Sequence, residues 1–151
     1  VPNTFNAPEG YRQRVQQSFD RQQALSTIGG KIEEVNPGKV VIGLDYQPAL
    51  TQQHGFMHAG ILTTVMDSAC GYAAFSLMPE GAGVLTIEFK TNLLSPAKGE
   101  RFVAIGEVKK PGRTITVANA EMFANSDGKS KLIATMTATL MTITGRKDVT
   151  G

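Results

Sequence analysis

The stretch His54–Phe75, HGFMHAGILTTVMDSACGYAAF, contains both histidines of the chain, three glycines and a single carboxylate, Asp67. From residue 58 to residue 78 the larger side chains Ile61, Leu62, Val65, Met66, Cys70 and Leu77 recur near the helical period. Ala69, Ala73 and Ala74 fill the same pattern. The other face carries Thr63, Thr64, Asp67, Ser68, Gly71, Tyr72, Phe75 and Ser76, and no lysine or arginine. A helix without a strongly charged outer face is covered on most sides. Pro79 and Gly81 are read as its end.

Working outward, Pro8, Glu9 and Gly10 precede a polar helical pattern with Tyr11, Val15 and Phe19 four apart. This helix is expected to run to Gly29-Gly30, with residues 1–8 as a loose arm. KIEEVNPGKVVIGLDY, residues 31–46, reads as two strands about a turn at Asn36-Pro37-Gly38. After the central helix the pattern alternates. In VLTIEFKTNLL, Leu85, Ile87, Phe89 and Leu93 are expected on one face, with Thr86, Glu88, Lys90 and Asn92 on the other. Turns at Ser95–Gly99, Lys110-Pro111-Gly112 and Asn125–Gly128 separate three further strands, predicting a four-stranded antiparallel meander. Thr135, Thr137 and Thr139 suit a half-exposed sheet face. The order of helix, two strands, covered helix and four strands predicts an α+β fold in which the sheet wraps the long helix. Residues 1–30 are read as an N-terminal arm and helix, 31–145 as a single domain, and 146–151 as a C-terminal tail.

The 151 residues suit one core, and 41% hydrophobic with 19% charged residues is a globular composition. The net charge of +2 is scattered. Lys109, Lys110 and Arg113 read as solvated turn charges, so no nucleic-acid partner is expected. One cysteine, Cys70, allows no internal disulfide and no paired-cysteine zinc site, and suggests a reducing compartment such as the cytoplasm. VPNTFNAPEGYR has no basic segment leading into an apolar run, so no secretory signal is read there. No apolar run reaches the ~18 residues of a membrane span. His54 and His58 lack both a HExxH pattern and a nearby third ligand, so no metal and no cofactor is expected. Cys70 falls on the apolar face, where a thiol behaves as a small hydrophobe.

Two features carry chemistry. The first N–H groups of a helix lack intrahelical partners, and the helix dipole adds positive charge there. Gly55, Ala59 and Gly60 keep the approach to that end small, which suits an oxygen that becomes negative during acyl transfer; a loop needing glycine for its turn has the same appearance. Asp67 lies two turns inside the helix. It is either a structural aspartate bonded to a threonine or backbone group, or a general base or nucleophile facing a cavity. Nine residues separate His58 from Asp67, about 900° of rotation and ~13 Å of rise. They face opposite sides and cannot readily meet one reacting group within one chain. A second copy with its helix antiparallel brings them together, and a two-fold dimer does so twice.

GFMHAGILTTVMD, Gly55–Asp67, resembles the signature of hotdog-fold acyl-CoA thioesterases of the PaaI type, roughly N-x-x-G-x-x-H-G-G-x-x-x-x-L-x-D. Gly55, His58, Gly60 and Asp67 match in register, and Val65 stands for the leucine. VLTIEFKTNLLSPAKGE, Val84–Glu100, is similar to the strand and turn that follow, and the likeness in element order spans residues 35–145. The resemblance implies a homodimer with sites across the interface, paired into a homotetramer, acting on acyl-CoA. It implies Asp67 as general base or nucleophile, the Ala59 N–H as the group polarising the carbonyl, His58 as shaping or hydrogen-bonding the site, and Thr86 as holding the attacking water. Gln52, Gly55 and Gly60 would complete the substrate-binding set, with residues such as Phe56, Met57 and Tyr72 lining an acyl pocket between subunits. Gln52 replaces the family's asparagine and Ala59 its first glycine, which alters reach and narrows the approach. Two rivals are a non-catalytic acyl-CoA-binding module and an enoyl-thioester hydratase. The hydratases pair an aspartate with a histidine a few residues later, and none follows Asp67.

Overall fold

A computed structural model describes residues 4–151. Its elements are α1 (Tyr11–Arg21), α2 (Gln23–Ile28), β1 (Lys31–Asn36), β2 (Lys39–Asp45), α3 (Ala59–Phe75), β3 (Gly83–Leu93), β4 (Arg101–Lys110), β5 (Ile115–Ser126) and β6 (Lys129–Ile143). One antiparallel six-stranded sheet, in the order β1-β2-β4-β5-β6-β3, wraps α3. This is the hotdog arrangement expected from the sequence. Among the described residues no helix is long and apolar enough to cross a membrane.

Small residues on both partners let α3 lie close to the sheet. Ala69, Cys70, Ala73 and Ala74 on the helix, and Ala104, Ala118, Ala120, Ala134 and Ala138 on the strands, are all buried. Phe102, Met122, Met136 and Leu140 fill the wider spaces. The tightest point is Gly106 of β4. A methyl group there would overlap the Ala69 carbonyl and sit 2.8 Å from the Cys70 nitrogen. Thr135, Thr137 and Thr139 alternate with the buried residues of β6 and face away from α3, as expected.

Five expectations need correction. The strands after α3 do not form a four-membered meander: β4, β5 and β6 do, while β3 pairs with β6 at the far edge. Alpha-helix α3 carries the chain across the sheet, and residues 94–100 carry it back to β4, held by Leu94 N–H to Ile133 O (2.8 Å) and Met57 N–H to Ala97 O (3.1 Å). The alternation in β3 is also broken. An irregularity between Thr86 and Glu88 leaves Ile87 as an extra residue. Thr86 is opposite buried Leu140 and Phe89 is opposite buried Ala138, so both face α3. Leu85 instead shares the outer face with Glu88. The first helical segment is two helices, broken at Gln22, whose backbone is extended (φ −80°, ψ 97°). Finally, α3 ends at Phe75, before Pro79, as Ser76 turns back to accept from Gly38 N–H at 2.8 Å. Of the arm, residues 1–3 lie outside the described residues, and Phe5 is not loose but packs on the core.

The Gly106 contact is testable. Gly106→Ala must push α3 off the sheet or distort β4, so thermal melting should show a loss of about 3 kcal/mol, with the soluble yield falling.

Candidate active site

The start of α3 is built from short-range bonds. His58 is the N-cap in extended conformation, and its Nδ1 accepts from Gly60 N–H at 2.9 Å. An accepting Nδ1 puts the imidazole proton on Nε2. The His58 carbonyl accepts from Ile61 and Leu62 (3.0 and 3.2 Å). Of the first N–H groups of the helix, Ala59 alone is without an acceptor among the described residues. The cap therefore leaves one donor, on Ala59, aimed out of the helix end.

Gly55 and Gly60 each have a local structural reason. Gly55 has φ +83° with open space around its missing side chain, so it serves the turn. Its carbonyl accepts from Tyr46 OH, and its N–H donates to Gln52 O. Gly60 makes room for the capping ring: a Cβ there would lie 3.1 Å from His58 Nδ1. Gln52 is held by its backbone N–H to Phe56 O (2.9 Å), while its side-chain carbonyl accepts from His54 N–H. Gln52 and Ala59 share a hollow of about 500 Å³ with Phe56, Met57, Leu62 and Leu93.

Asp67 lies elsewhere on α3. It is half-buried and accepts from Thr86 Oγ1 at 2.8 Å. The break in alternation at Ile87 puts Thr86 on the helix side, where it can reach. Burial raises the Asp67 carboxyl above its ordinary value, and the Thr86 bond offsets part of that rise. A second cavity of about 300 Å³ opens beside this pair. Within one chain Tyr72 lines this second cavity, while Phe56 and Met57 line the hollow at the helix start. Tyr72 sits one and a half turns past Asp67, under α1. Cys70 is buried, and burial with the nearby Asp67 charge pushes its thiol up to about 12, so it is no thiolate nucleophile. Among the described residues no three His, Cys, Asp or Glu side chains cluster to hold a metal.

The chain thus brings Asp67 to Thr86, and Ala59 to Gln52, in two separate places. Eight residues of helix, ~12 Å of rise, lie between Ala59 and Asp67. Ser18 and Gln22, which reach the Asp67 cavity from the N-terminal helical segment, carry no signal in the sequence beyond a polar helical pattern.

An antiparallel sheet around a helix, with a bare N–H at the helix start and a perturbed carboxylate within it, is the architecture of a hotdog thioester hydrolase. The chain belongs to the thioesterase superfamily, whose family model matches residues 54–131. A solved thioesterase family protein from Silicibacter pomeroyi is 60% identical, with a TM-score of 0.89, covering 90% of this chain and all of that one. The E. coli PaaI protein of the phenylacetic acid degradation operon shares the fold at a TM-score of 0.83 and 18% identity, over 93% of this chain and 98% of that one. Human acyl-coenzyme A thioesterase 13 is 26% identical over 74% of this chain and 81% of its own length.

Two variants separate the chemical from the structural part of Asp67. Its carboxyl is raised on folding, so its contribution to stability is full below the ordinary carboxylate range and is lost as pH rises through the raised value. Asp67→Asn should therefore melt at or above the wild type near pH 8, with the gap closing toward about pH 4, while thioester hydrolysis is lost. Thr86→Val removes the bond that favours the carboxylate, so the acidic limb of its pH–rate profile should move to higher pH.

Proposed function

We propose that the protein hydrolyses acyl-CoA thioesters at a site completed by two copies of the chain. One observation carries this reading: a single helix presents an unpaired Ala59 N–H and a desolvated Asp67 carboxylate too far apart to serve one carbonyl. The name of the human relative supports acyl-coenzyme A as the substrate class.

A two-fold partner supplies the missing half. Strand β3 is an edge of the sheet, and Leu85, Ile87, Phe89 and Leu93 are 45–59% exposed along it. An unpaired apolar edge is a template for another strand. Pairing β3 with its copy continues the sheet and sets the two α3 helices side by side. The start of one helix then faces Asp67 of the other. Partly exposed Val103, Ile105, Val117 and Phe123 on the outer sheet face support a further pairing into a homotetramer. Coenzyme A thioesters and a buried free thiol both suit the cytoplasm, the compartment we propose.

In this site the thioester oxygen accepts from Ala59 N–H, and the helix dipole favours the charge that develops on it. His58 holds the helix start in shape by its cap. The Gln52 amide, free on its NH2 side, stands beside the same carbonyl. Asp67 of the partner takes a proton from water as the water oxygen bonds to the carbonyl carbon. The C–S bond then breaks, its electron pair leaves on sulfur, and the proton passes to the thiolate. Direct attack by Asp67 would instead form an anhydride that water opens; both routes use the same groups. Thr86 orients the carboxylate in either case.

A panel of acyl-CoAs with detection of released thiol tests the activity, and no release above buffer from any member would refute it. Asp67→Ala should bind acyl-CoA yet release no thiol; retained turnover would overturn the assignment of Asp67. Ala59→Pro removes the N–H and puts the ring Cδ in its place while keeping the helix start, because proline is welcome at the first helical position and His58 already has the extended backbone it needs. Its kcat should fall by about 10²–10³, whereas Ala59→Gly, which keeps the N–H, should stay near wild type. Light scattering should give a dimer or tetramer, and Ile87→Arg with Phe89→Arg should shift it toward monomer and abolish turnover together.

A further inference from the structure

The cavity beside Asp67 has a second end, away from the reacting groups. Where the first helical segment breaks at Gln22, the chain turns toward α3. There Ser68 Oγ donates to Gln22 Oε1 at 3.0 Å, and Ser18 Oγ and Tyr72 OH share a hydrogen bond at 3.3 Å. Tyr72 is 5% exposed and held edge-on between Phe19 (5.8 Å between centroids) and Phe75 (6.3 Å). These groups are locked before any ligand arrives.

Their remaining hydrogen-bonding capacity includes two uncommitted donors, although the Ser18 and Tyr72 oxygens can also accept. Gln22 has committed its carbonyl oxygen to Ser68, which leaves its NH2 with no acceptor among the described residues. One hydrogen bond joins Ser18 and Tyr72, so one of the two hydroxyl hydrogens is left to give. The Arg21 side chain stands at the rim. The far end therefore offers donors, while the carboxylate acceptor, Asp67, lies at the near end.

The space is short and ends at the buried Tyr72. Asp67 and Tyr72 are separated by five residues of helix, ~7.5 Å of rise. The volume of about 300 Å³ is roughly twice the ~150 Å³ that holds a benzene. Val149 to Gly151 cover one side, with Gly151 N–H bonded to Ala82 O at 3.0 Å. A pantetheine arm must continue outward to its nucleotide. The wider hollow at the helix start opens past exposed Leu93 and Leu94 and gives it that path. The cavity beside Asp67 suits a group that ends inside it.

Building on the thioesterase reading, we propose that this cavity seats the far end of the acyl group, and that Gln22, with the Ser18–Tyr72 pair, selects short acyl groups ending in an oxygen acceptor: hydroxyl, oxo or carboxylate. An apolar end of the same length leaves the Gln22 amide and the free hydroxyl unpaired, which is how polar sites reject ligands that lack a partner atom. A long alkyl chain meets the Tyr72 wall.

The test compares acyl-CoAs of matched length on the wild-type protein: pentanoyl, 5-hydroxypentanoyl, 4-oxopentanoyl and glutaryl, with dodecanoyl as the long member. At least one oxygen-bearing substrate should exceed pentanoyl in kcat/KM by about tenfold or more, and dodecanoyl should fall below both. Gln22→Leu should bring the ratio of oxygen-bearing to pentanoyl turnover close to one, chiefly through KM. Gln22→Glu, which replaces a donor with a carboxylate, should turn the ratio against glutaryl most strongly. Turnover that is equal across the short set, or that favours dodecanoyl, or a ratio unmoved in both Gln22 variants, would overturn the selectivity and leave the thioesterase standing. Absence of thiol release from every acyl-CoA would instead remove the thioesterase reading on which it rests.

Discussion

The approach of α3 to β4 governs the whole architecture. Gly106 has no side chain, so the backbone at Ala69 and Cys70 comes down onto the strand. Alanines on both surfaces extend that close contact, and the sheet curls about the helix with Phe102, Met122 and Leu140 filling the margins. A helix held this tightly cannot roll or slide. That rigidity fixes the direction of Ala59 N–H at one end and of Asp67 in the middle, and a catalytic group must be held to a fraction of an ångström to be useful.

The electrostatics of the helix follow from its lack of charge. Asp67 is the only ionisable group on α3 besides the buried thiol and phenol. With no cation on its own helix to hold it ionised, burial raises it, and a single hydroxyl from Thr86 moderates the rise. A carboxylate so placed is a better base than a solvated one, at the expense of some folding stability. The irregularity at Ile87 has two consequences. It turns Thr86 inward to Asp67 and leaves Ile87 exposed as an extra residue along the edge strand, so one irregularity supplies the carboxylate with its hydrogen-bond donor.

Another departure from regularity sits at Gln22. A continuous helix from residue 11 to residue 28 would run past α3; the extended backbone at Gln22 folds the second half back and sends an amide side chain to Ser68. In both places a break in a regular element delivers a side chain to the cavity around Asp67.

The sequence by itself determined a great deal here. The apolar period from Ile61 to Leu77 required a covered helix, and alternation in residues 101–143 required strands. Asn36-Pro37-Gly38 and Asp127-Gly128 required turns, and glycine meets the left-handed backbone at Gly38 and Gly128. The match from Gly55 to Asp67 identified the family. These signals are local: propensity, period and backbone freedom act within a few residues. Tertiary structure alone decided which edge β3 joins, that Ile87 would break its alternation, that Tyr72 packs on Phe19, and that Gln22 would interrupt a helix. Each of those depends on groups far apart in the chain competing for one space, and chain-local preference contains no term for that competition.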